Sequence, residues 1–426
     1  MYLLNNKTIL AMAAASIIPA SFVHAAGFSV NEQSASAMGS AFAGRASNGE
    51  DASIGAANPA GIALLDKQQI TVGSALILEG GNFEGSYSKE GDTRESKDFL
   101  KNTAVPFGHY VLPVNDKFTF GLNVYVPFGL NLDYDDAFAG QYFGDKTLIE
   151  NVNMQSTFAY QFRDNFSVGV GLTASHISGE LTQLSRVKMM GIEFDEINTK
   201  VKGDDLAFTW NIGAIWQPDD KTTLGASYHA PTKFTLEGDV TATNMPFGKD
   251  FKDDAQLKIT MPERTMFSVT HQLNDQWTVM ADATWTRWSR LENIFIEDKE
   301  NAHFNKFVAM EWRDVWAVST GAAYKMNDQW TFKAGYMYDQ SPTTNSNRTV
   351  RAPDNNRHWL TAGAKWKTTP NLVFDLAAAY VIMDDAKVDE HAYNPDGSTD
   401  EDYGTLTGEY TDSSTWILSA QMTYLF

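Results

Sequence analysis

The chain has 426 residues, 53 acidic against 33 basic side chains, a formal net charge of -20, and no cysteine. So acidic a balance excludes nucleic-acid binding by bulk electrostatics and long-range steering of anions. The missing thiols exclude disulfides, thiolate metal sites and thiol catalysis.

Residues 1–25 read as a secretory signal peptide. Lys7 is their only charge, an apolar stretch runs from Ile9 to Val23, and Val23 and Ala25 precede a cut that leaves Ala26 first. That stretch is too short for a membrane helix, and no stop-transfer charges follow. Beyond it there is no run of 18 apolar residues. A membrane-spanning form must therefore be a closed barrel, in which every backbone group pairs with a neighbouring strand.

Residues 26–66 are small, glycine-rich and alanine-rich, with Ser34 to Ala43 reading as a compact helix or turn. The segment is too long for a simple lead-in and is expected to form a small N-terminal hatch.

From 67 onward, turn signals recur about every 50 residues: Asn115-Asp116, Asp164-Asn165, Asp219-Asp220, Asn274-Asp275, Asn327-Asp328 and Pro370-Asn371. Phe118, Phe166, Trp277, Trp330 and Leu372 start the strands that follow. Propeller blades share such a period. Here each unit holds two long strands with a polar loop at the far end, the arrangement of outer-membrane barrels. Loops are expected near 80–102, 131–149, 187–203, 238–254, 298–306, 341–355 and 387–408. Seven such loops imply an all-β fold over 67–426: a 14-stranded antiparallel transmembrane β-barrel, wide enough to need a lumen or a plug.

Two strands show the expected faces. In 257–272, Leu257, Ile259, Met261, Phe267 and Val269 share an apolar face, interrupted once by Glu263, with Lys258, Thr260, Arg264, Ser268, Thr270 and Gln272 opposite. In 307–325, Trp312, Trp316, Val318, Ala322 and Tyr324 share one face, with Asp314 as the exception. Glu311, Arg313, Ser319 and Lys325 share the other, assigned to the lumen. The chain ends on a period-two strand whose greasy face carries Trp416, Leu418, Ala420, Met422, Tyr424 and Phe426. Aromatics at both ends of that face fit a strand crossing a membrane, although the last strand of a soluble sandwich alternates similarly.

Several motifs resemble FadL-type long-chain fatty acid transporters. They are Ala26-Gly27-Phe28 through Asn31-Glu32 with Gly39, Ala41 and Gly44, then Asn58-Pro59-Ala60, Trp285 through Trp288-Ser289, Gly335 through Tyr338-Asp339 with Ser341-Pro342, and Pro353-Asp354 through Arg357 and Trp359. Their joint order covers the whole mature chain. The resemblance implies a hatch-closed barrel in the bacterial outer membrane. Hydrophobic cargo would rest in a groove among outer loops, enter a pocket beside the N-terminus, and leave sideways through a gap at a kinked third strand.

The resemblance also implies site residues. Arg313 matches a basic position that meets the headgroup; a guanidinium holds a carboxylate by two parallel hydrogen bonds, although pairing with Glu311 is the alternative. A second basic position falls on Gln183, with Arg186 three residues on. Phe28 and Val30 are expected at the deep pocket. Asn58 and Pro59 are expected to fix the hatch exit, and Gly121, Pro127 and Gly129 to kink the third strand, 117–129. In loop 131–149, Leu132, Tyr134, Phe138, Tyr142 and Phe143 either bind cargo or pack the loop onto the rim. The acids of loop 387–408 either bind cations that bridge lipopolysaccharide or form a solvated loop; their spacing fits no calcium motif. The expected partners are long-chain fatty acids or other hydrophobic molecules, with outer-membrane lipid and lipopolysaccharide around a monomer. No cofactor, metal or nucleic acid is expected. Aromatic hydrocarbon uptake, a general porin and a barrel enzyme are the competing functions, and no histidine sits in a recognisable metal or nucleophile motif.

Overall fold

The computed structural model describes residues 27–426 except 136, 190, 191, 246, 247, 249 and 301–303. The expected signal peptide and Ala26 lie outside the described residues. The chain opens with two short helices, α1 (Ala35–Met38) and α2 (Ile54–Ala57), and a 3₁₀ turn, Pro59–Leu64. The wall follows: β1 (Gln69–Tyr87), β2 (Thr93–Lys97), β3 (Thr103–Pro113), β4 (Phe118–Asp133), β5 (Lys146–Arg163), β6 (Phe166–Met189) and β7 (Ile192–Asp219). Next come β8 (Thr222–His229), β9 (Thr232–Thr243), β10 (Phe251–Met261), β11 (Arg264–Gln272), β12 (Trp277–Thr286), β13 (Asn293–Asp298) and β14 (Lys306–Ala309). The wall ends with β15 (Val315–Lys325), β16 (Trp330–Asp339), β17 (Arg357–Thr369), β18 (Leu372–Met383), β19 (Ala386–His391) and β20 (Thr405–Leu425).

β2 is a rim strand on β1, and five traverses are split into an inner and an outer piece: β8–β9, β10–β11, β12–β13, β14–β15 and β18–β19. What remains is a closed barrel of fourteen antiparallel traverses. β20 closes it against β1, in register from Gln69↔Leu425 to Tyr87↔Leu406.

The six expected turns all lie at one end of this wall. Three share one device. Asn115 Oδ1 accepts the N–H groups of Lys117 and Phe118 (3.0 and 3.0 Å), and Asn274 and Asn327 do the same for Gln276–Trp277 and Gln329–Trp330. Asparagine side chains favour such turns because they supply the missing acceptor locally. The far loops differ from expectation in two places. Most of 187–203 and 238–254 continues the wall as β6–β7 and β9–β10 hairpins rather than forming loops. Polar residues extend a ladder readily once both faces are in water.

The outward face is apolar and bordered by aromatic rings. Trp277–Tyr324, Trp330–Trp366 and Tyr424–Phe426 pack ring against ring near the turn end; Tyr380–Trp416 marks the loop side. Trp416, Leu418, Tyr424 and Phe426 of the terminal strand are all exposed, as lipid-facing residues must be.

Residues 27–66 fill the turn-side lumen. Their backbone touches the wall where it has no side chain. A Cβ on Gly213 would stand 1.9 Å from Asn58 Oδ1, and one on Gly335 would stand 2.3 Å from the carbonyl carbon of Ser40. Polar ties hold the segment there. Glu50 accepts from Lys333 Nζ (2.6 Å) and from Lys365. Gln421 Oε1 accepts from the Ala35 N–H (2.9 Å), and its amide donates to Asp51 (2.9 Å). Asn58 caps the 3₁₀ turn by accepting from the Ala60 N–H (3.0 Å) and donates to the Ala46 and Ala214 carbonyls (2.7 and 3.1 Å).

Four neighbouring traverses break at one height. β8 ends at His229 and β9 resumes at Thr232; β10 stops before Pro262-Glu263; β12 gives way at Arg287; the chain is irregular from Met310 to Asp314, with Glu311 at φ 45°. Each break shifts the alternation by one residue. His229 and Thr232 both face inward, as do Met261 and Arg264, and Trp312 and Val315. A one-residue slip exchanges the faces of a strand. Turn-side of the break the lumen face is polar; loop-side it is apolar, with Phe234, Leu236, Leu257, Ile259, Ile296 and Val308. This corrects the expected faces. Leu257, Ile259 and Met261 line the inside, whereas Phe267 and Val269 face out, and Glu263 sits at the slip itself, bound by Arg290 and Arg287 (2.8 and 3.3 Å).

Candidate functional site

The inverted faces enclose an apolar cavity in the loop-side half of the barrel. Its free space is about 960 Å³ including the mouth, and its wall includes Leu130, Ile149, Ile177, Leu236, Ile259 and Val308. Phe28 forms part of its floor. That ring is 2% exposed and packs against Trp288, Trp312 and Phe128, with centroids at 4.9, 5.6 and 6.1 Å. The adjoining N–H of Gly27 donates to Asp354 (2.8 Å), which also accepts from Ser341 Oγ (2.7 Å) and pairs with Arg357.

A second, more polar cavity of about 1180 Å³ opens among the outer loops and includes Tyr142, Phe143, Arg186, Glu390 and Tyr403. The two cavities share Leu181, Val201, Ile296, Val308, Lys306 and Arg351, so Lys306 and Arg351 stand at the neck between them. Arg351 donates to the Thr182 carbonyl (3.0 Å) and to Gln183 Oε1 (2.8 Å), and Lys306 donates to the same Gln183 oxygen. Burial, and then the neighbouring Arg351, push Lys306 down to about 7. Burial pushes Glu390 up to about 7. A cation stripped of water favours losing its proton, and a carboxyl favours keeping one.

The third traverse is incomplete on one side. β4 pairs with β3 only as far as Val124↔Gly108 and carries a bulge between Tyr125 and Phe128. Residues 103–107 of β3 pair with β1 and not with β4. Residues 28–30 occupy the gap: the Val30 N–H donates to the Pro127 carbonyl and the Gly129 N–H to the Phe28 carbonyl, both at 2.9 Å. Higher up, the Lys101 N–H donates to the Asn131 carbonyl (3.2 Å) and closes the gap again. A bulge frees backbone groups that need new partners, and the N-terminal segment supplies them.

The sequence-derived residues divide accordingly. Phe28, Phe143 and Arg186 line the cavities; Arg186 lies over the Tyr142 and Tyr87 rings (4.6 and 5.1 Å). Pro127 and Gly129 lie at the bulge, but Gly121 lies turn-side of it, opposite Ile62. Asn58 and Pro59 cap the 3₁₀ turn against the wall. Val30 lies outside both cavities, packed with Met38, Val126 and Trp359. Leu132 and Phe138 are buried in the loop layer, Phe138 stacked on Tyr134 at 3.9 Å. Arg313 does not face the lumen. It is exposed and donates to the Ser341 carbonyl (3.2 and 3.1 Å), because the irregular stretch at Glu311 puts Trp312 inside instead. Lys306, at the very start of the four-residue β14, and Arg351, on a loop, were missed because periodicity carries no signal there. No cluster of three metal-ligating side chains occurs among the described residues, the acids of loop 387–408 included.

A closed wall with an apolar belt, a filled lumen and an apolar cavity with a basic neck is the build of an outer-membrane transport barrel. The chain belongs to the outer membrane protein transport family (OMPP1/FadL/TodX), whose model matches residues 16–426. It is 29% identical to outer membrane protein P1 of Haemophilus influenzae over 88% of this chain and 90% of that protein. It is 26% identical to a long-chain fatty acid transport protein of Escherichia coli over 89% and 91%. Its fold matches a Pseudomonas aeruginosa FadL homologue with a TM-score of 0.84 at 26% identity, over 94% and 99% of the two chains. The Ralstonia pickettii toluene transporter TbuX, at 17% identity and a TM-score of 0.65, shares the fold. The protein is an outer-membrane barrel.

Proposed function

We propose that the protein takes up long-chain fatty acids or similar acidic amphiphiles across the outer membrane by passive diffusion. Cargo collects in the outer cavity beside Phe143 and Arg186. Its carboxylate then settles at Lys306 and Arg351 while its tail enters the apolar cavity. Phe28 blocks the way on. When residues 28–30 leave the bulge of β4, the β3–β4 gap opens sideways into the membrane. Residues 26–66 act as the hatch, held by Glu50, Gln421 and Asn58. The protein works as a monomer within lipid and lipopolysaccharide, with no catalytic step.

The observation that carries this reading is the pairing of an apolar cavity with two basic side chains at its mouth. Each buried methylene contributes about 0.8 kcal/mol, and hydrogen bonds to charged groups contribute about 1.5–3 kcal/mol. The two cations favour an acid over a neutral aromatic hydrocarbon, which has no acceptor to offer them. The test is equilibrium binding of labelled oleate and of oleyl alcohol to the purified protein. Lys306→Met is expected to weaken oleate by about tenfold or more and leave the alcohol unchanged. Equal loss of both, or of neither, would remove the headgroup role.

A further inference from the structure

Below the Phe28 floor lies a third cavity of about 650 Å³ between the hatch and the wall. Its charged side chains are Arg45, Glu50, Asp51, Lys333 and Arg264. Four of them have an ion-pair or hydrogen-bond partner. Arg45 pairs with Asp282 (3.5 Å) and donates to Asn31 (2.9 Å). Glu50 and Lys333 pair with each other, and Asp51 accepts from Gln421 and from the Ser53 N–H. Arg264 is the exception: it is 8% exposed and has no hydrogen bond or carboxylate partner among the described residues.

Its position matters. Arg264 opens β11, directly after the slip at Pro262-Glu263, and its guanidinium carbon sits 5.6 Å from the centroid of the Phe128 ring. Phe128 is the residue of β4 at which the ladder to β5 resumes after the bulge, bridged to Ser29 and packed on Phe28 and Trp288. Two more donors in this aromatic cluster, Nε1 of Trp288 and Nε1 of Trp312, are buried without an acceptor. Buried polar groups normally find partners, and an unpaired buried charge is costly. Three unanswered donors around the junction of cavity, hatch and gap are complementary to a transient anion.

We propose that Arg264 is an inner anion station. Resting on the uptake reading above, it receives the carboxylate of a long-chain monocarboxylic acid once Phe28 has moved, and holds it beside the β3–β4 gap while the tail leaves for the bilayer. The headgroup thereby passes from Lys306 and Arg351 to Arg264 and is never left bare in the lumen.

The test uses the full chain with Arg264→Met and Arg264→Lys. Transfer of oleate and of oleyl alcohol into liposomes is timed, equilibrium oleate binding is measured in the same preparations, and unliganded melting temperatures are compared. Arg264→Met is expected to slow oleate transfer about tenfold, the scale of one lost charge-assisted contact. It should leave alcohol transfer, equilibrium binding and melting temperature as in the natural protein, and Arg264→Lys should restore most of the rate. An unchanged oleate-to-alcohol ratio, with oleate still bound at equilibrium, overturns the station alone. A lowered melting temperature with both cargoes slowed equally shows that Arg264 only supports the fold and also overturns it. Failure of the natural protein to bind oleate at all would instead overturn the uptake reading.

Discussion

Chain length offers a graded probe of the apolar cavity. Ile296 of β13 stands opposite Lys306 in one register and opposite Leu257 in another, so Lys306 and Leu257 lie at one height. From Leu257 to Met261 the strand advances four residues, roughly 13 Å at about 3.3 Å per residue. An extended acyl chain with bonds of about 1.5 Å gains roughly 1.25 Å per carbon, so about ten methylenes fit between the basic neck and the Phe28 floor. At about 0.8 kcal/mol each, affinity should rise about fourfold per methylene up to that length. Longer chains must displace Phe28 from three aromatic neighbours, which costs about as much as burying one such ring, roughly 1.5–3 kcal/mol. The slope should therefore fall below about twofold per methylene beyond the tenth carbon. Competition against a fluorescent fatty acid, with saturated acids from eight to sixteen carbons below their micelle concentrations, measures it. A flat series, or one unbroken slope to sixteen carbons, refutes the cavity as the tail site.

Two further outcomes follow from charges. With Arg351 ionised throughout, Lys306 and Glu390 together take the neck from a net charge of +2 in acid to 0 in base as pH rises through about 7, whichever of the two releases its proton first; Asp145, Tyr134 and Tyr403 also face Arg351. Oleate affinity should thus fall between pH 6 and pH 8 while oleyl alcohol affinity stays level, and equal pH profiles for the two ligands would contradict this. Glu50→Gln leaves Lys333, whose side chain is 3% exposed, without its carboxylate; stability should drop by about 3 kcal/mol and liposomes carrying the variant should admit small sugars, as calorimetry and swelling assays will show.

Much of the wall is legible in the sequence. Each Asn-Asp turn carries its own acceptor and is followed by an interfacial ring, so Asn274 and Trp277 mark a strand start without tertiary help. The terminal strand from Trp416 to Phe426 keeps one unbroken alternation, and its greasy face is the lipid face. The site was less legible, because it arises where alternation fails. Leu257, Ile259 and Met261 look like lipid-facing residues until the slip at Pro262-Glu263 turns them inward; Glu263 was the visible trace of that slip. Arg313 was misplaced by the same mechanism, since a single residue at positive φ, Glu311, reverses the parity that assigned it to the lumen. Lys306, at the start of β14, and Arg351, on a loop, converge from separate parts of the sequence, and only the closed barrel brings them together. Leu132, at the loop end of β4, and Phe138 are apolar for the more ordinary reason, that the loop layer needs a core of its own.

The central claim is that cargo sits head-out, with its carboxylate at Lys306 and Arg351 and its tail against Phe28. Crystals soaked with stearate brominated at its ninth and tenth carbons test it directly through the anomalous signal of bromine. The expected bromine site lies at the cavity floor between Ile259, Met261, Val308 and Met310. Bromine found only in the detergent belt, or at the basic neck with the carboxylate beside Phe28, would contradict the claim.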